Sequence, residues 1–163
     1  MIVILMGVTA TGKTTTGKLL ASRTGWEFAE GDDYHSEANK QKMRAGIPLN
    51  DDDRAPWLAS LHELLRGWHE KGQSGVLACS ALKQAYRDTL VAGIPREAYE
   101  FVLLKVSREH LEARLKTRTN HYMNPALLDS QFATLEMPSD AIAVSAEGTP
   151  EETVDLIASQ LKL

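Results

Sequence analysis

The chain opens on Ile2-Val3-Ile4-Leu5-Met6, an uncharged run rich in β-branched residues that stops at Gly7. Consecutive apolar positions without alternation predict a strand buried on both faces. Gly7 to Gly12 reads as a tight loop, and Lys13 to Arg23 as a helix stopped by Gly25. Trp26-Glu27-Phe28 predicts a second, shorter strand before the polar cluster Glu30-Gly31-Asp32-Asp33. Ser36 to Ala45 reads as a charged helix closed by Gly46 and Pro48. In the segment Arg54 to Lys71, Trp57, Leu58, Leu61, Leu64, Leu65 and Trp68 recur at helical spacing, the clearest amphipathic helix of the chain. Val76 to Cys79 predicts a third buried strand, Lys83 to Ala92 a helix, and Tyr99 to Val106 a fourth strand. A basic helix from Arg108 to Arg118, a helix from Pro125 to Leu135 and a weak strand at Ile142-Ala143-Val144 follow. Thr149, Pro150 and Glu152 mark the start of a last helix with a capping box. Alternating strands and helices predict an α/β fold, a parallel sheet covered on both faces. No repeat or linker divides residues 1–163, so they read as one domain.

Composition narrows the class. With 163 residues, 43% apolar and 25% charged, the chain is expected to bury an ordinary globular core. A net charge of -4 argues against a nucleic-acid partner but leaves room for a local basic cluster facing a small anion. The single cysteine, Cys79, excludes an intrachain disulfide and suits a reducing cytoplasm. The apolar start is too short for a signal peptide, and no run approaches the roughly 18 apolar residues of a membrane span. A soluble cytoplasmic protein, with no membrane partner, is therefore expected.

Gly7-Val8-Thr9-Ala10-Thr11-Gly12-Lys13-Thr14 fits G-x-x-x-x-G-K-[ST], after a strand and before a helix. In such a loop, backbone N–H groups and the positive helix end surround the phosphates of a nucleotide. Lys13 is expected to reach the β- and γ-phosphates, and the Thr14 hydroxyl to sit on Mg²⁺. The expected ATP-binding set is Gly7, Thr9, Ala10, Thr11, Gly12, Lys13, Thr14 and Thr15. Ala10 stands where related loops often carry Gly, which matters only if the position needs φ > 0. No Asn-Lys-x-Asp guanine reader is present, and the third strand runs into Ser80 without the carboxylate of an ATPase motor. The carboxylates follow the second strand instead, where Glu30 or Asp32 can hold water on Mg²⁺. That layout fits kinases of small metabolites and nucleotides.

Two longer motifs sharpen the class. His35-x-x-x-Asn39-x-x-Lys42-Met43-x-x-Gly46-x-Pro48-Leu49-x-Asp51-x-Asp53-Arg54-x-Pro56-Trp57-Leu58 resembles the signature of the gluconokinase family. Cys79-Ser80-Ala81-Leu82-Lys83 with Tyr86-Arg87-Asp88 does so too, as does His121 ahead of Gln131-Phe132-Ala133-Thr134-Leu135-Glu136. The resemblance runs to about Pro138. It implies a P-loop NTPase fold of three layers, α/β/α, like nucleoside monophosphate kinases. Its parts are a five-stranded parallel sheet, a substrate-binding helical segment at about 35–70 and a lid at about 114–128. The implied reaction is ATP-dependent phosphorylation of D-gluconate to 6-phosphogluconate and ADP, and a homodimer is compatible with it. Family members often have Asp in place of Glu30 and Pro in place of Ser36; Glu30 carries its charge one methylene further out.

Asp32 is the candidate for orienting the attacking hydroxyl and removing its proton, although an Asp there can also merely cap a loop. Arg54, expected to open the long helix, can hold gluconate's carboxylate by two parallel hydrogen bonds or else pair with Asp51 or Asp53. Lys83 and Arg87, one helical turn apart, are expected to share a face as an anion site, with Ser80 as a further donor. A solvated basic face is the alternative. His35 and Asn39 are candidates for reading gluconate hydroxyls. In the lid, Arg114 and Arg118 are expected to stack on adenine or neutralise phosphate charge, Arg118 being the better catalytic candidate. Trp57, Leu61 and Trp68 read as core, and Cys79 as a small buried residue. A shikimate-type kinase and a non-catalytic ATP-dependent binding module are the alternatives; neither explains the two motifs together with the loop.

Overall fold

The computed structural model describes residues 1–117 and 125–163. Among them, the strands Ile2–Met6 (β1), Glu27–Glu30 (β2), Gly75–Ala78 (β3), Tyr99–Lys105 (β4) and Ile142–Ser145 (β5) form one parallel sheet ordered β2-β3-β1-β4-β5. The helices are Lys13–Thr24 (α1), Glu37–Arg44 (α2), Asp51–Glu70 (α3), Gln84–Leu90 (α4), Arg108–Thr117 (α5), Pro125–Thr134 (α6) and Pro150–Leu161 (α7), with 3-10 turns at Gly31–Tyr34 and Arg96–Ala98.

The unbroken apolar run of β1 is explained by its two covered faces. Ile2, Ile4 and Met6, with Leu77, Phe101 and Leu103 of neighbouring strands, pack with Trp57, Leu61, Leu65 and Trp68 of α3 and Tyr86 and Leu90 of α4. Val3 and Leu5, with Val76, Val102 and Leu104, pack instead with Leu20 and Ala21 of α1 and Val154 and Ile157 of α7. Each fully buried Leu, Ile or Val contributes about 1.5–3 kcal/mol, so a polar residue at any of these positions would lose that and strand a polar group. β1 lies between β3 and β4, where the strand order reverses. The crevice beyond the carboxyl end of such a strand is where open α/β sheets bind ligands.

Boundaries differ from the sequence expectations in three places that matter. The long helix starts at Asp51, not Arg54, because Asn50 accepts from the Asp53 N–H (2.8 Å) and the Asp53 carboxylate accepts from the Asn50 N–H (3.0 Å). This reciprocal cap places all three aspartates in the first turn, where the helix dipole favours them. β2 reaches Glu30 instead of ending at Phe28, which makes Glu30 a strand residue. Lys83 is an extended N-cap (φ -105°, ψ 148°) ahead of α4, not a helical residue. The last helix forms as read, with Thr149 and Glu152 capping each other and Pro150 in the first turn. Among the described residues no helix is long and apolar enough to cross a membrane.

Candidate active site

The loop between β1 and α1 is held from several sides. Gly12 caps α1 at φ 91°, a conformation that glycine reaches without steric cost. Ala10 also lies in the left-handed region, at φ 65°. The position that related loops fill with Gly thus does need positive φ, and Ala bears a cost of about 1–2 kcal/mol there. Thr11 donates to the Val8 carbonyl (3.0 Å), and the Lys13 ammonium donates to the carbonyls of Gly7 (2.9 Å) and Val8 (2.8 Å). The Gly7 N–H donates to the Ser80 carbonyl (3.2 Å), and the Thr9 N–H to Gln131 Oε1 of α6 (2.6 Å). Arg114 of α5 donates to the carbonyls of Ala10 (2.8 Å) and Ala146 (2.6 Å). It thereby clamps the strained residue to the segment after β5.

The carboxylates arrive from β2. The Thr14 hydroxyl donates to Glu30 Oε2, and Glu30 Oε1 accepts from the Asp32 N–H at 3.4 Å. Burial pushes the Glu30 carboxyl above its usual range, with the nearby Asp32 charge adding to the rise and the Thr14 hydrogen bond opposing it. The turn after Glu30 passes so close to β3 that a Cβ on Gly31 would lie 2.6 Å from the Ala78 carbonyl oxygen. Only glycine fits there. Trp57 Nε1 donates to the Gly31 carbonyl (2.7 Å) and fixes the turn that carries Asp32. A hydroxyl and carboxylates set together are hard oxygen donors, which fit a Mg²⁺ ion that keeps most of its waters.

Lys13, Thr14, Glu30, Asp32, His35, Arg54, Trp57 and Ser80 line one cleft of about 250 Å³, with Met43, Ile47, Pro48 and Leu49 as an apolar wall. His35 is buried and stacks on Trp57, ring centroids 4.2 Å apart and 16° from parallel. Burial lowers its pKa and disfavours the charged ring. The Asn39 amide approaches His35 Nδ1 at 3.3 Å; an NH₂ can only donate, so Nδ1 accepts and the ring proton sits on Nε2. Arg54 Nη1 donates to the Tyr86 hydroxyl (3.0 Å) and lies 4.0 Å from Asp51. Cys79 also lines the cleft, but burial pushes its thiol up to about 12, so it is no nucleophile. A second cavity of about 340 Å³ adjoins the other side of the phosphate loop, lined by Thr11, Gly12, Thr15, Arg114, Gly148 and Pro150 among others.

Several expected site residues are placed elsewhere. Arg87 is buried and spends its guanidinium on Ala81 O (2.7 Å), Gln84 Oε1 (3.1 Å) and Glu136 O (2.9 Å). It fastens the segment after α6 to the segment after β3 and does not line the cleft. Lys83 does not share its face, because the N-cap backbone sends its ammonium to Asp51 (3.5 Å). Asn39 is likewise buried, its amide donating to the Asp53 carbonyl (2.8 Å) and to His35, so it braces α2 against α3 and is not among the residues lining the cleft. Arg118, His121 and much of the expected lid lie outside the described residues.

Other participants were not singled out from sequence. Trp57 is core, as read, but it also stacks His35 and holds Gly31. Gln131 reaches the phosphate loop from α6, and Tyr86 reaches Arg54 from α4. An aromatic at helical spacing carries no sign of where its polar atom goes; only its place in the longer motif sets Trp57 apart from Trp68. For Gln131 and Tyr86, presence within the longer motifs was the available hint.

Comparison with known proteins agrees with this geometry. A family model described as an AAA domain matches residues 2–138. A gluconokinase of Gluconobacter oxydans (strain 621H) is 47% identical over 156 residues, 93% of this chain and 86% of that protein. The crystal structure of a gluconokinase from Sinorhizobium meliloti 1021 superimposes with a TM-score of 0.83 at 37% identity, covering 98% of this chain and 94% of that one. A shikimate kinase from Bacteroides thetaiotaomicron aligns with a TM-score of 0.72 over 99% of this chain and 98% of that one. At 18% identity it shares the fold alone. A phosphate loop facing a polar cleft, on a fold shared with small-metabolite kinases and at this level of identity, places the chain in the gluconokinase family.

Proposed function

We propose that this protein transfers the γ-phosphoryl group of ATP to the 6-hydroxyl of D-gluconate, giving 6-phospho-D-gluconate and ADP. The observation that carries the reading is that one cleft is lined by Lys13, Asp32 and Arg54 together. These are a phosphate cation, a carboxylate for the acceptor hydroxyl, and a guanidinium for an acid group. In the transfer, the acceptor oxygen forms a bond to the γ-phosphorus while the bond from that phosphorus to the ADP oxygen breaks. Asp32 orients the hydroxyl and takes its proton; the demand is chiefly for position, because the transition state is loose. Lys13 meets the charge that moves onto the phosphate oxygens. Thr14 and Glu30, with Asp32, would hold Mg²⁺, which would offset phosphate charge when bound. Arg54 takes the gluconate carboxylate, and His35 Nε2–H and the Ser80 hydroxyl serve the polyol. The second cavity, between Arg114 and Pro150, suits the adenine. A cytoplasmic setting and a small-molecule acceptor, not nucleic acid or membrane, belong to the same reading.

An ADP-release assay with Mg-ATP against gluconate, shikimate, glucose and AMP tests it. Turnover on gluconate alone is expected. ATP binding with no turnover on any acceptor would instead favour a binding module.

A further inference from the structure

We infer that Tyr86 is a positioning residue that sets selectivity for an acid over a neutral polyol, by holding Arg54 through a relay that ends on Asp51. The inference rests on Arg54 receiving the acceptor's carboxylate. Arg54 Nη1 donates to the Tyr86 hydroxyl oxygen at 3.0 Å, and that hydroxyl donates to Asp51 Oδ1 at 2.5 Å. The same Asp51 oxygen takes Lys83 Nζ at 3.5 Å. Both cations also lie over the Tyr86 ring, at 5.4 Å for Arg54 and 5.6 Å for Lys83. Of these four residues Arg54 alone lines the cleft, while Tyr86 is buried behind it.

The chemistry of each link is directional. A phenol has one proton to give and lone pairs to receive. Giving the proton to a carboxylate leaves its oxygen a better acceptor for the guanidinium, since chained hydrogen bonds polarise one another. The bond to Tyr86 is the guanidinium's one hydrogen bond to protein among the described residues, and it uses a single Nη1 hydrogen. The remaining N–H groups are left for bidentate capture of a carboxylate in the cleft that Arg54 lines. Charge follows the same plan. Asp51 offsets one of the two cations, Arg54 and Lys83, so the group keeps a single positive charge for a singly negative acid. Without the phenol oxygen, Arg54 can swing on its flexible stem towards exposed Asp51, already 4.0 Å away, and the internal carboxylate competes with the substrate's.

Steady-state kinetics on Tyr86→Phe, which keeps the ring, test the inference, with gluconate and the neutral six-carbon polyol glucitol as acceptors. The expected result is a rise of about ten-fold in KM for gluconate, the scale of one hydrogen bond to a charged group. kcat on gluconate and KM for ATP should stay within about two-fold of wild type, and the gluconate-to-glucitol preference should fall by about the same ten-fold. Asp51→Asn, which weakens the far end of the relay, should move the same parameters by less. An unchanged KM for gluconate in Tyr86→Phe would overturn the inference and leave the function standing. So would equal losses on both acceptors, or a loss confined to kcat, since a merely structural tyrosine behaves so. Wild-type protein that binds ATP yet fails on gluconate would overturn the functional reading itself and the inference with it.

Discussion

The two ends of the cleft are built by different means. At the phosphate end, residues 7–15 are contiguous, and a β-loop-helix unit brings their backbone and side chains together. At the acceptor end, His35 comes from the segment before α2 and Arg54 and Trp57 from the start of α3, braced from behind by Asn39, Asp51 and Tyr86. The contiguous end can bind phosphate wherever the loop forms, which is why the same loop serves many acceptors. The assembled end decides which acceptor is used, and it depends on packing being right in several places at once. Asp32 sits at the seam: it follows β2, but its turn is held by Trp57 from α3.

That contrast can be broken by substitution. Lys13→Ala should lower kcat by more than about a thousand-fold, since a charged donor to the transferring phosphate outweighs a neutral one. The circular dichroism spectrum should be unchanged. Full activity would remove the phosphate-end assignment. Asp32→Asn should lower kcat by about a hundred-fold with little change in ATP affinity, within the range of a lost general base. An unaltered kcat would discard Asp32 as a participant.

Trp57→Phe probes the seam. It strands the Gly31 carbonyl and should cost about 1–3 kcal/mol of stability, read by urea unfolding. Because the turn carries Asp32, kcat on gluconate should fall too, while the loop's affinity for ATP survives. A parallel loss of ATP affinity would mean that the two ends are not separable. The smallest expected effect is the pH response of His35. Its pKa is lowered by burial, so between the folded value and the unfolded value of 6.5 the unfolded chain binds more protons. Stability should therefore decline as pH falls below about 6.5 and stop declining once the folded pKa is passed. His35→Gln should flatten that part of the melting-temperature profile; an unaltered slope would show that His35 does not carry it.

The fold was largely legible. The apolar run of β1, the helical stripe of Trp57 to Trp68 and the Thr149 cap each announce themselves locally, because backbone hydrogen bonding and burial impose short periods. The start of α3 was misplaced because Asn50 and Asp53 cap each other without the Ser/Thr and Glu/Gln pair that usually signals a capping box. Arg87 shows a different limit. Its charge and place after β3 suggest an anion site, yet a buried guanidinium is equally well satisfied by carbonyls. The Asn39 amide is likewise satisfied by a carbonyl, that of Asp53. Within one segment, nothing tells a polar side chain whether its partner will be a substrate or a backbone from elsewhere in the chain.

By itself the sequence determined the alternation of strands and helices, the phosphate loop with Lys13 and Thr14, and the presence of carboxylates after the second strand. These depend on neighbours in the chain, and local sterics and hydrogen bonding decide them. The tertiary structure alone decided that Ala10 bears the strained φ, that Glu30 meets Thr14, and that Asn39 and Arg87 turn inward. It also decided that Tyr86 joins Arg54 to Asp51. Those outcomes require residues distant in sequence to compete for buried partners, and the winner is fixed by which donors and acceptors packing leaves without water.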